Sequence, residues 1–246
     1  MKKVIGILFL VSFLFSSGEF CFYTIKMDYR EYQNGRVLDR DYTDFGELVG
    51  IGYRYENSNF YDSFFRIEGA YGGSHYEGAT WGGKPIKENQ SGVYILNIEG
   101  GFGQRGVNFI LGYRFWNRGK SNSIGDYNEQ YYWPYYGVMW RNCFEFRKFS
   151  FKPEIAYQKA INPQMKAYLG NEPVIDLGDT EGFKAELPLY FKSKNFSFKL
   201  FYRYQLWHVS ASSQTPLLLN GKVVYIYEPE SFTRNSYIGA GISFCF

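Results

Sequence analysis

Beyond residue 18 the sequence has no long apolar run, so no segment reaches the roughly 20 apolar residues that a membrane-crossing helix needs. Histidine is nearly missing, with only His75 and His208. Cysteine is scarce: Cys21, Cys143 and Cys245 form no Cys-x-x-Cys pair, and no His-x-x-x-His or Walker-type glycine loop occurs. These gaps exclude the common zinc and P-loop chemistries, and neither a metal nor another cofactor is expected. An odd thiol count leaves at least one cysteine unpaired. Alternation puts Cys21 outward and Cys245 inward, and sulfurs on opposite faces of a sheet cannot meet disulfide distances. Neither sign of charge dominates, since 27 Lys and Arg stand against 24 Asp and Glu. The formal charge of +3 falls to +1 without Lys2 and Lys3, which points to neither a nucleic-acid nor a strongly acidic partner.

What the chain has in excess is aromatic surface. Tyr and Phe number 24 each and aromatics make up 22% of the residues, yet the mean hydropathy is −0.35. A soluble protein rarely exposes so many rings, and a helical membrane protein would need continuous apolar runs. A closed sheet with one apolar and one polar face reconciles the two. The first residues, Met1-Lys-Lys followed by about a dozen apolar residues and Ser16-Ser17-Gly18, have the pattern of a cleaved export signal. No lipobox precedes Cys21. Residues 1–18 therefore read as a signal peptide and residues 19–246 as one domain.

Period-two alternation gives ten candidate strands, at residues 21–33, 36–57 (broken near 44–46), 62–77, 91–103, 107–118, 131–147, 149–162, 180–193, 196–212 and 232–246. Short links at 57–61, 104–106, 147–149 and 193–195 alternate with longer ones at 78–90, 119–130, 163–179 and 213–231. The last strand alternates Ile238, Ala240, Ile242, Phe244 and Phe246 with Tyr237, Gly239, Gly241 and Ser243, and ends on an aromatic residue. This ending resembles the closing strand of bacterial outer-membrane β-barrels, similar in kind to the small OmpA and OmpX barrels. The resemblance implies an all-β, closed, antiparallel up-and-down transmembrane barrel of ten strands, or eight if one hairpin is misread. It also implies a Gram-negative outer membrane, contacts with lipid and lipopolysaccharide, and an insertion signal at Tyr237, Phe244 and Phe246 read by the barrel-insertion machinery. A monomer is expected, with the loops open to an extracellular ligand or protein.

Alternation assigns Lys26, Asp28, Arg30, Arg54, Glu56, Arg66, Glu68, Glu99, Arg114, Arg141, Glu145, Lys152, Glu154, Lys184, Glu186, Lys199 and Arg203 to the lumen. A barrel of this size has an interior just wide enough for side chains to fill, so the favoured reading is a lumen filled by paired charges, in a structural or surface-interaction protein. The alternative is a narrow pore that weakly prefers anions through its surplus of Arg and Lys. Asn34-Gly35 and Asn220-Gly221 predict tight hairpins, the second joining a ribbon at 214–219 and 222–227. Glu172, Asp176, Asp179 and Glu181 give an acidic loop, read as solvated because no calcium-loop spacing is present.

Two enzymatic comparisons bear on the histidines. His208-Val-Ser210 shares its His-x-Ser pair with lipid A deacylases of the PagL type, which implies Ser–His chemistry at the outer rim. The resemblance covers two residues, and Glu228 and Glu230 are the loop candidates for an orienting acid. Asp39-Arg40-Asp41 matches the Asp-x-Asp of omptin proteases, but the matching Asp-x-His is missing because residues 73 and 206 are Gly and Leu. The expectation is a non-enzymatic protein.

Overall fold

A computed structural model describes residues 16–57, 62–79, 83–121, 127–219 and 221–245. Residues 1–15 of the expected leader, Asn220 of the second hairpin and Phe246 of the insertion signal lie outside the described residues. Ser16–Gly18, placed in the leader by sequence, open the first strand.

Strand β1 (Ser16–Gln33) turns at Asn34-Gly35, both with positive φ, into β2 (Arg36–Tyr42). After a break, β3 (Leu48–Asn57) continues down the same neighbour. Then follow β4 (Asp62–Ala79), β5 (Pro85–Gln104), β6 (Val107–Asn117) and β7 (Glu129–Arg141). Short β8 (Phe144–Glu145) and β9 (Phe149–Phe151) lead to β10 (Glu154–Ala160), and β11 (Gln164–Ala167) and β12 (Val174–Asp176) form a hairpin on the upper edge of β7. The chain ends with β13 (Thr180–Lys192), β14 (Phe196–Val209), the ribbon β15 (Thr215–Leu219) and β16 (Lys222–Ile226), and β17 (Glu230–Cys245).

Every wall pairing is antiparallel, and β17 returns to pair β1 from Ser17↔Cys245 to Tyr32↔Glu230. With β2 and β3 forming one broken stave, the wall is a closed barrel of ten strands. Closure leaves no free edge in the wall. The described connections are short at the end holding Ser16 and Cys245, as at Arg105-Gly106, and long at the far end. The expected strand at residues 131–147 stops at Arg141, and Pro153, which cannot donate to the ladder, separates β9 from β10.

Outward positions form a continuous apolar belt. One register row runs Phe22, Ile51, Gly69, Leu96, Phe115 and Tyr132 across six staves. Inside, glycines lie under rings: a Cβ on Gly50 would meet the Tyr23 ring at 2.4 Å and one on Gly112 the Tyr135 ring at 2.2 Å. The interior is stratified rather than uniformly polar as alternation predicts. Charged residues fill the half nearer the termini, whereas Ile25, Met27, Leu48, Val93, Ile95, Trp116, Trp133 and Trp207 form a dry layer above them. A barrel too narrow for bulk water packs like a protein core, so apolar side chains serve there as well as polar ones.

Candidate functional site

The lower lumen is an ion-pair lattice. Arg54 bridges Glu154 (2.5 Å) and Glu56 (2.6 Å), and Arg66 reaches Glu154 (3.0 Å) and Glu186 (3.3 Å). Arg203 binds Glu68 through Nη1 and Nη2, each at 2.7 Å, and donates Nε to Glu186 at 2.7 Å. Lys199 joins Glu186 to Glu19, and Lys184 binds Glu99 at 2.6 Å. Five cations and five carboxylates thus meet at the centre, each with at most 9% of its side chain exposed. Arg114 is buried there without a carboxylate, donating to Asn97 at 3.1 Å between Trp133 and Trp207. Arg141 pairs with half-buried Glu56, and Lys152 lies over the Tyr190 ring, both toward the terminal end.

Four residues assigned to the lumen stand elsewhere. Lys26, Asp28 and Arg30 face outward, because the inward set of β1 is Glu19, Cys21, Tyr23, Ile25, Met27, Tyr29 and Glu31. They lie past the apolar belt, where the outer face is wet, and form exposed pairs: Lys26 with Asp44, and Asp28 with both Arg30 and Arg40. The same register turns Cys21 inward, opposite Gly241 and four residues from Cys245, and its thiol is free. Glu145 sits on the exposed β8 with Lys192, because β7 ends before it. Glu19, which alternation did not collect, completes the lattice; it shares a face with Cys21, and because Cys21 was read as outward the period gave no signal for Glu19. Tyr237 is buried in the lumen and Phe244 points out.

Above the belt the far end opens into a cup, a cavity of about 540 Å³. Its floor is built on Arg118. The guanidinium donates Nη1 to Glu129 (2.6 Å) and Glu31 (3.2 Å), Nη2 to Asp39 (2.9 Å) and Nε to Asp41, and lies over the Tyr29 ring. Glu228 joins from the segment after β16, its Oε1 contacted by the hydroxyls of Tyr29 (2.9 Å) and Tyr131 (2.8 Å). Asp39 and Asp41, the Asp-x-Asp pair, both belong to this floor. Burial pushes Asp41 up to about 7 against the pull of Arg118, and burial followed by repulsion from Glu129 pushes Glu228 up to about 8. Burial likewise raises Glu31 well above the usual carboxylate range.

Both histidines lie on the outer wall, not in the cup. His75 bonds Glu47 and Asn89, each at 2.8 Å. His208 bonds Glu230 at 2.9 Å and stacks on Phe232, so one of the two loop candidates does reach it. Ser210 donates its backbone N–H to Asp179, and among the described residues no hydrogen bond joins its hydroxyl to His208. The acidic loop is dispersed: Glu172 pairs with Lys166, Asp176 accepts from Gln164, Asp179 pairs with Lys159, and Glu181 accepts from Tyr157.

A closed ten-stranded barrel with an apolar belt, a filled lumen and long loops at the far end has the outer-membrane β-barrel fold. No family model and no curated protein matches the sequence. Among solved structures, the outer membrane protease OmpT of Escherichia coli is similar over 94% of this chain and 97% of its own, with 10% identity and a TM-score of 0.53. Neisserial surface protein A covers the same shares at 10% identity and a TM-score of 0.39, and AlkL, an outer membrane protein, covers 94% and 90% at 12% identity and 0.37. At these identities the likeness is one of fold alone.

Proposed function

We propose that this protein is a monomeric outer-membrane barrel with a surface-interaction role, its lumen closed and its binding surface at the extracellular cup. One observation carries the reading: the balanced lattice of Arg54, Arg66, Lys184, Lys199 and Arg203 with Glu19, Glu68, Glu99, Glu154 and Glu186 fills the lumen beneath an open cavity. A surplus of lumen cations was the argument for an anion-preferring pore; with Lys26, Asp28, Arg30 and Glu145 outside and Glu19 added, that surplus falls only from three to two, but the five cations of the central lattice are each held by a carboxylate. Residues 1–18 supply the export signal, and Tyr237, Phe244 and Phe246 the signal for the insertion machinery. The belt meets lipid, and the far end faces lipopolysaccharide and the medium.

Single-channel recording in planar bilayers tests the closed lumen. The refolded wild type is expected to be silent, while a Glu186→Ala, Arg203→Ala double variant, which opens the centre of the lattice, conducts. Reproducible openings of the wild type whose anion preference weakens in an Arg114→Ala, Arg203→Ala variant would replace this reading with the pore.

A further inference from the structure

We infer that the cup takes an amphipathic organic amine, its ammonium set among Glu31, Asp39 and Glu228 and its apolar body lying along Met165, Ile175 and Ile226. The inference rests on the cup being the binding surface and adds the ligand class.

The cavity has two unlike walls. Glu31 at the end of β1, Asp39 on β2 and Glu129 at the start of β7 make one side acidic, and Arg118 is the one cation among the described residues lining it. Met165 and Ala167 on β11, Ile175 on β12 and Ile226 on β16 make the other side apolar. Its volume lies within the range of small-molecule sites, roughly 300–1,000 Å³. A hydrated metal ion would have no use for the apolar wall, and among the described residues no group of His, Cys, Asp and Glu is placed to hold a metal. An anion would meet the wrong charge.

The acidic side is short of positive hydrogens. Tyr29 and Tyr131 contribute two hydroxyl protons, yet they make four close contacts to carboxylate oxygens: Glu31 (2.7 Å) and Glu228 (2.9 Å) from Tyr29, Glu228 (2.8 Å) and Glu129 (3.0 Å) from Tyr131. A phenol donates once and an ionised carboxylate not at all, so protons on the carboxyls must fill the remainder. Asp41 is fully buried under the floor with its Oδ1 lacking a hydrogen-bond partner, and Asp39, a lining residue, crowds against Glu31 on the same guanidinium. Buried acceptors without donors destabilise a site. An ammonium group brings three donors and a full charge, and it would replace the protons that let the carboxyls lie close together. A neutral ligand of the same shape would leave that deficit in place.

Isothermal titration calorimetry on the full barrel in lipid nanodiscs tests this, with empty nanodiscs as the blank and phenethylamine, phenethyl alcohol and ethylamine as probes. Phenethylamine is expected to bind at least tenfold tighter than either of the others at pH 7.5. Heats measured in buffers of different ionisation enthalpy should show proton release on binding. In an Asp39→Asn, Glu228→Gln double variant, whose folding is checked by the gel shift between folded and heated barrel, both the preference and the proton release should be lost. Phenethyl alcohol binding as tightly as the amine would overturn the amine inference while leaving the cup as a binding surface. Amine binding that the double variant leaves unchanged would overturn the location, and no heat from any probe would overturn the inference outright. None of these results bears on conductance, which tests the closed barrel separately.

Discussion

Glu186 accepts from Lys199 and Arg203 and pairs with Arg66 at 3.3 Å, with no side-chain surface exposed. Such a group is stabilising only while every partner is present, because removing one leaves buried charges uncompensated. Glu186→Gln is therefore expected to destabilise the barrel by about 3–5 kcal/mol, the range for breaking a buried pair. Removing an exposed partner, as in Asp44→Asn against Lys26, should change stability by at most about 1 kcal/mol. Urea unfolding followed by tryptophan fluorescence in lipid vesicles measures both. Equal effects would mean that the central lattice is wet. Arg118 is the outer counterpart of Glu186, one cation among four carboxylates, and its cation–π contact with Tyr29 adds to a position that no acid can vacate without changing the balance of the others.

At the scale of the element, β1 shows how far alternation can be trusted. Its 18 residues are longer than the apolar belt, so its outward face is greasy at Phe20 and Phe22 and charged at Lys26, Asp28 and Arg30. Charge therefore marks the lumen only where the outside is lipid. In β6, whose described outward residues Phe109, Leu111, Tyr113 and Phe115 all belong to the belt, the faces follow directly from sequence. The same reasoning explains Cys21, whose face is set by the register with β17 and not by its own polarity. A labelling experiment separates the two registers of β1. On whole cells, Lys26→Cys should react with an impermeant maleimide well above the parent chain, and Met27→Cys should not; the opposite result would turn the strand over. The ribbon of β15 and β16 was legible because Asn-Gly sits between two apolar runs, with Gly221 at positive φ. The cup was not legible, because its acids come from β1, β2, β7 and the segment after β16, and only closure of the barrel brings them together around Arg118 and Tyr29.

At the scale of the whole molecule, the barrel is arranged in layers along its axis: a balanced ionic lattice, a dry aromatic layer and an acidic cup. The lattice carries matched charges, so its net demand on the solvent is small. The cup does not, and it makes stability depend on pH in a direction opposite to that of an ordinary salt-bridged carboxylate. Asp41 is raised to about 7 and Glu228 to about 8, chiefly by burial, whereas both titrate near their usual values in the unfolded chain. Between those limits the folded state holds more protons than the unfolded one, so the unfolding free energy falls as pH rises. The favourable contribution is complete below the unfolded values and is lost as pH rises through the folded ones. His75, raised by its bond to Glu47, adds a loss of the same sign as it deprotonates. The thermal midpoint in lipid vesicles should accordingly be lower at pH 9 than at pH 6, and an Asp41→Asn, Glu228→Gln variant should flatten the slope. Phenethylamine should oppose the loss, restoring part of the midpoint at pH 9 in the wild type and not in the variant, because a bound cation takes the place of the protons the cup has released.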